Sequence, residues 1–128
     1  MTIVLKKGDK FSEKFRGFLE KNRINSGFFF GLGGFQKVEI AFYDLRTQKY
    51  NKKKFIGPFE VLSLIGNVAQ NDDEIMVHAH IILGDKNFKT FGGHLVDGVV
   101  GGTLEINLNE SGMMERRFND ETGLNLLK

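Results

Sequence analysis

The 128-residue chain has no cysteine, no tryptophan and a single proline. Without cysteine there is no disulfide, iron–sulfur cluster, thiolate zinc site or cysteine nucleophile. The fold must therefore be held by its core, and a chain of this length buries roughly two-thirds of its unfolded surface. Long apolar runs are also missing: nothing approaches the roughly 18 residues that a membrane-spanning helix needs. The segment Met1–Lys10 lacks the pattern of a signal peptide. The expectation is a cytoplasmic protein with no membrane partner. Charge of one sign is not in excess, since eighteen Lys and Arg face sixteen Asp and Glu for a net +2. Nucleic-acid binders usually carry a larger excess or a strong local cluster. The only dense run here is Lys49, Lys52, Lys53 and Lys54.

What is present is phenylalanine, at 13 residues, and glycine, at 16. A chain that is 41% hydrophobic and 27% charged reads as one domain over residues 1–128. Many glycines beside a single proline point to tight turns and to places where two backbones come close.

Alternation predicts a short strand at Thr2–Lys6, followed by a turn and helix cap at Gly8 and Asp9. Phe11, Phe15, Phe18 and Leu19 fall at helical spacing, so Phe11–Arg23 is the one helix expected. Everything after Asn25-Ser26-Gly27 reads as strand. Phe28–Leu32 breaks at Gly33-Gly34, and Lys37–Asp44 alternates with Val38, Ile40 and Phe42 on one face. Thr47–Phe55 carries the lysines of an exposed edge. Phe59–Ile65 begins just after Pro58, and Glu74–Leu83 follows the turn at Asn71-Asp72-Asp73. Val96–Leu108 and Met113–Phe118 complete the set. The fold class is α+β, dominated by antiparallel sheet.

All three histidines lie within seventeen residues. In Glu74–Leu83 the residues Ile75, Val77, Ala79, Ile81 and Leu83 form a wholly apolar face, and Met76, His78, His80 and Ile82 form the other. Imidazoles at i and i+2 on one strand face are close enough to converge on one ion. His94 follows Phe91-Gly92-Gly93, where two glycines would let a third ring approach. Three neutral imidazoles suit zinc or another divalent transition metal, with a position left open for water or substrate. The same pattern also serves ordinary imidazole hydrogen bonding at an interface.

Glu39, Glu60 and Glu105 each interrupt an otherwise apolar or small-residue strand, where a carboxylate can accept a proton, orient a histidine or sit in solvent. Gly31-Leu32-Gly33-Gly34 precedes a strand and not a helix, so it is not a phosphate loop and no nucleotide cofactor is expected. Alternation splits Lys52, Lys53 and Lys54 between two strand faces, which makes a charged edge more than a concentrated nucleic-acid patch.

Ser26-Gly27 through Gly31-Leu32-Gly33, Val38–Asp44, Gly57–Asn67, His78-Ala79-His80 and Gly92-Gly93-His94-Leu95 occur in that order. Together they resemble the plants-and-prokaryotes-conserved (PPC) domain, over about Lys6–Asn109. The resemblance implies a central, largely antiparallel sheet with one main N-terminal helix, assembled as a homotrimer. In such a trimer Gly98, Gly101 and Gly102 would permit close backbone approach. Stand-alone prokaryotic members are labelled as predicted DNA-binding proteins, whereas plant members add Arg-Gly-Arg hooks that this chain lacks. A DNA-binding or regulatory module with DNA or protein partners is thus implied, with Lys52, Lys53 and Lys54 as candidate contacts. The family's fold is also similar to that of acetolactate decarboxylase, a zinc enzyme whose metal is held by histidines. That similarity implies a metal role for His78, His80 and His94. The alternative function it implies is a small metalloprotein or enzyme, with Glu60 as a candidate proton-transfer group. No arginine is placed by a recognisable motif to bind a substrate carboxylate.

Overall fold

Ile3 and Leu5 turn inward and their neighbours outward, and this alternation makes β1 (Thr2–Lys6) in the computed structural model, which describes residues 1–128. Then follow α1 (Phe11–Lys21), β2 (Gly27–Asp44), β3 (Lys49–Asn71), β4 (Glu74–Gly84) and β5 (Thr90–Glu110). A small hairpin of β6 (Arg116–Asn119) and β7 (Leu124–Leu127) ends the chain. The main sheet has the order β1-β5-β2-β3-β4 and is antiparallel throughout. Because the end of β4 also pairs with the start of β5, the four long strands close on one another. The class is therefore α+β with one helix, as expected. No helix is long and apolar enough to cross a membrane.

Helix α1 exists because Phe11, Phe15 and Leu19 share one face, all buried. Phe15 stacks on Phe11 and tilts against Phe29 of β2, with ring centroids 5.3 and 4.7 Å apart. The helix start differs from the expected Asp9 cap. Asp9 closes the preceding turn by accepting from the Lys6 amide, and Lys10 at the N-cap makes no side-chain bond. Asp97 of β5 supplies the missing acceptor instead, taking the Ser12 amide at 3.0 Å and the Ser12 hydroxyl at 2.6 Å. A carboxylate there meets both the orphan amides and the positive helix end. The helix stops at Lys21, two residues before the expected Arg23, because Arg23 takes a φ of 56° and the Ile24 amide reaches back to the Leu19 carbonyl.

The strands are longer than their sequence breaks suggest. Gly33-Gly34 does not divide β2; it makes a bulge, and the ladder to β3 and β5 continues beyond it. A side chain at Gly33 would place its Cβ 2.1 Å from the Thr103 carbonyl, so the backbones approach there as only glycine allows. Likewise Pro58 lies within β3, beside the register shift opposite Phe35–Lys37. Val38 and Ile40 reach the core, but Phe42 projects outward where β2 runs past it. Of the glycines expected at a subunit contact, Gly98 and Gly101 are used within the chain, against the Phe35 ring and the Gln36 backbone. The last strand is a pair, since β7 answers β6, and it begins at Arg116 rather than Met113.

Candidate metal centre

The alternation along β4 sends Ala79, Ile81 and Leu83 into the core and His78 and His80 to the opposite face. His94 of β5 stands directly across the ladder from His80, so strand pairing alone brings the third imidazole to the other two. Gly92 and Gly93 let β5 lie close to its neighbours, since a Cβ would sit 2.1 Å from the Ile81 carbonyl and 2.8 Å from that of Ala41. One nitrogen from each ring lies within 4.8 Å of the other two, and Nε2 of His78 and Nε2 of His80 are 3.2 Å apart. Ligand nitrogens around a tetrahedral zinc are separated by about 3.4 Å. The His78–His80 pair is close to that spacing, and His94 lies within 4.8 Å of both.

The electrostatics suit metal ligation. Partial burial pushes His78 down to about 4, and the charges of His80, Arg116 and His94 act in the same direction. His94 is also lowered, by burial first and then by His80 and Lys52. Both are neutral near pH 7 and hold lone pairs ready for a cation. No carboxylate belongs to the cluster.

A clasp lies beside it. The long β2–β3 hairpin carries Tyr43 and Tyr50, whose rings are 4.8 Å apart, and Tyr50 lies 5.0 Å from the His94 ring. The Tyr43 hydroxyl donates to the Thr122 carbonyl, and Gln48 Nε2 donates to the Asp120 and Glu121 carbonyls at 3.3 and 3.0 Å. The hairpin tip is thereby tied to the β6–β7 turn. From β6, Arg116 reaches the same neighbourhood. Its Nη2 donates at 2.6 Å to Oδ1 of Asn67, the residue directly opposite His78 on β3.

The other sequence candidates lie elsewhere. Glu60 pairs with Gly84, five residues along β3 from Ile65, the partner of His80. At about 3.3 Å per residue, that places Glu60 roughly 16 Å along the strand from the imidazoles of its own chain. It is exposed beside Pro58, Asp85 and Lys86 at the far end of the sheet. Glu39 stands between Lys54 and Asp97, and Glu105 between Val4 and Leu32. Lys52, Lys53 and Lys54 are exposed along a stretch of β3 that pairs only with β2, an open edge as expected. Lys53 lies over the Phe55 ring at 5.1 Å, while Lys52 and Lys54 take the other face. Arg116 is the member of this neighbourhood that sequence reasoning missed. Arginine is seldom buried, and nothing local marks this one.

The family model for the Plants and Prokaryotes Conserved (PCC) domain matches residues 1–111. Among solved structures, a plant- and prokaryote-conserved protein from Pyrococcus horikoshii is 32% identical with a TM-score of 0.93, over 100% of this chain and 90% of its own. A metal-containing protein from Archaeoglobus fulgidus is also 32% identical, with a TM-score of 0.91 over 100% and 91%. A "Putative DNA-binding protein" from Ralstonia eutropha is 26% identical, with a TM-score of 0.92 over 99% and 89%. More distantly, alpha-acetolactate decarboxylase from Bacillus subtilis shares the fold, with 15% identity and a TM-score of 0.63; 95% of this chain aligns with 57% of that enzyme. A search among curated proteins found no match.

Proposed function

The chain belongs to the Plants and Prokaryotes Conserved domain family, and from that premise we propose that it is a metal-binding domain in which His78, His80 and His94 hold one divalent transition ion, zinc by preference. The observation that carries this is the convergence of three imidazole nitrogens within 4.8 Å, in a cluster that contains no carboxylate. The Archaeoglobus relative, described as metal-containing, supports it. Three protein ligands leave a position for an outside molecule, and a bound zinc there would polarise a carbonyl or lower the pKa of a coordinated water. The protein's own part is to present His78 and His94 neutral and to hold Tyr50 against His94.

The assembly belongs to the same proposal. Phe28, Phe30 and Leu32 of β2, Ile65 of β3 and Ile82 of β4 are exposed, and Phe30, Ile65 and His80 lie side by side across three strands. An apolar strip of this kind marks an interaction surface, and a homotrimer covers it. The deciding experiment is native mass spectrometry of untagged protein. A trimer with about one divalent ion per chain, lost in His80→Ala, is expected. Unchanged metal content after alanine replacement of all three histidines refutes the site.

A second reading is favoured by the exposed Lys49, Lys52, Lys53 and Lys54 on an open edge and by the name of the Ralstonia relative. It takes the domain as a DNA-associated regulator. Glu39 and Asp44, which pair with Lys54 and Lys49, dilute that patch. Retention on duplex DNA at low salt, abolished when Lys52, Lys53 and Lys54 become Glu, is the outcome this reading requires.

A further inference from the structure

We infer that Arg116 and the three-histidine cluster form a single ligand site, whose natural occupant is a small carboxylate held between the guanidinium and the metal. The inference rests on the metal reading and names the ligand class for that centre.

Arg116 is only 8% exposed, yet no carboxylate neutralises it. The ion pairs of the chain are Lys14 with Asp9 and Lys128 with Glu115, and neither involves Arg116. Nη1 donates to the Asn125 carbonyl at 2.9 Å and Nη2 to Asn67 Oδ1 at 2.6 Å, while the buried Nε has no partner at all. A guanidinium carries five N–H donors, so most of its fork is unspent. A desolvated, unpaired cation is among the costliest groups a fold can keep, and an anionic ligand is what relieves it.

Its position points the same way. Asn67, which Arg116 grips, is the cross-strand partner of His78 on the same sheet face. The charge of Arg116 bears on both His78 and Tyr50, and the Tyr50 ring lies tilted against His94. Lys52, opposite Ala41 and one further pair from His94, adds a second cation at the rim. Three neutral imidazoles, a divalent ion and two cations, with no acidic side chain in the cluster, select an anion. The planar fork of arginine matches a carboxylate in two parallel bonds, a geometry that a lysine does not reproduce. A purely structural arginine that tied β6 to β3 would need the Asn67 and Asn125 bonds and nothing more.

The test uses untagged protein loaded with cobalt(II), whose visible spectrum reports a change of ligand. Glycolate is the carboxylate probe, imidazole the neutral one and inorganic phosphate the competing anion. Wild type, Arg116→Gln and Arg116→Lys are compared. The expected result is glycolate binding weakened at least tenfold in Arg116→Gln and severalfold in Arg116→Lys, with cobalt and imidazole affinities within twofold of wild type. Should Arg116→Gln fail to melt cooperatively, the lysine variant, which can still donate to Asn67, carries the comparison. Equal glycolate binding in all variants, or glycolate and imidazole weakened together, overturns the inference while leaving the metal centre standing. Arg116-dependent phosphate binding without glycolate binding overturns the carboxylate assignment. Failure of the wild type to take up cobalt overturns the metal reading itself.

Discussion

A single methyl group at Gly66 should unfold the protein measurably, whereas the same methyl at Gly17 should stabilise it. Gly66 lies in β3 opposite Ala79, immediately beside the histidine strand. A Cβ there would come within 2.4 Å of the His78 carbonyl oxygen and 2.4 Å of the Phe29 ring. Neither can step aside. The carbonyl belongs to the β3–β4 ladder, and Phe29 is 2% exposed with its ring packed on Phe15. Overpacking of a closed core costs about 1–3 kcal/mol, and contacts this short call for the upper half of that range. The lower entropy of the unfolded chain returns about 0.4–1 kcal/mol, so the net loss for Gly66→Ala is about 2 kcal/mol. With a melting entropy of about 2.1 cal/mol/K per residue, a chain of 128 residues loses about 7 °C in Tm. Gly17 is exposed on α1, with no atom within 4 Å of its would-be Cβ. Alanine there gains about 0.5–1 kcal/mol of helix propensity and raises Tm by about 2–4 °C. Thermal unfolding of metal-free protein, followed by circular dichroism in the presence of a chelator, measures both. If Gly66→Ala melts within 2 °C of wild type, the close packing of β2, β3 and β4 behind the histidines is wrong.

Acidifying the metal-free protein tests the electrostatics. His78 is depressed to about 4 from an ordinary 6.5, so between those values the unfolded chain binds more protons than the folded one. Stability should therefore fall as pH drops from about 6.5 towards 4, with His94 acting in the same direction, by about 1 kcal/mol after solvent screening of these half-exposed rings. An NMR titration giving His78 a midpoint near 6.5 would count against the crowded cluster. Tyr43→Phe removes the hydroxyl that holds Thr122, at a cost of about 1 kcal/mol. Amide exchange should quicken across Asn119–Gly123 and nowhere in the core, and unchanged exchange there means the clasp holds nothing. Finally, Ile65→Glu puts a charge into the exposed apolar strip beside His80. If the chain forms the proposed homotrimer, light scattering should show the mass per particle falling to that of one chain, and a trimer that persists in the variant would place the interface elsewhere.

The parts of this molecule that were legible in its sequence are those governed by short-range periodicity. A period of two put His78 and His80 on one face and Ala79, Ile81 and Leu83 on the other, because a strand allows no other arrangement. A period near 3.6 placed Phe11, Phe15 and Leu19 together for the same reason. Glycine was harder to read, since it marks both turns and close approach. Gly33-Gly34 looked like an end to β2, yet the ladder passes through it because Thr103 presses against that backbone. The helix cap shows the limit more sharply. Asp9 had the right chemistry at the right local position, but the acceptor that satisfies Ser12 comes from Asp97, 85 residues away. Arg116 is the extreme case. Its importance rests on Asn67 49 residues upstream, and on the absence of any acid near enough to pair with it. No pattern within a strand encodes an absence, so the cation beside the histidines is a property of the folded chain alone, in which the buried Nε of Arg116 has no partner.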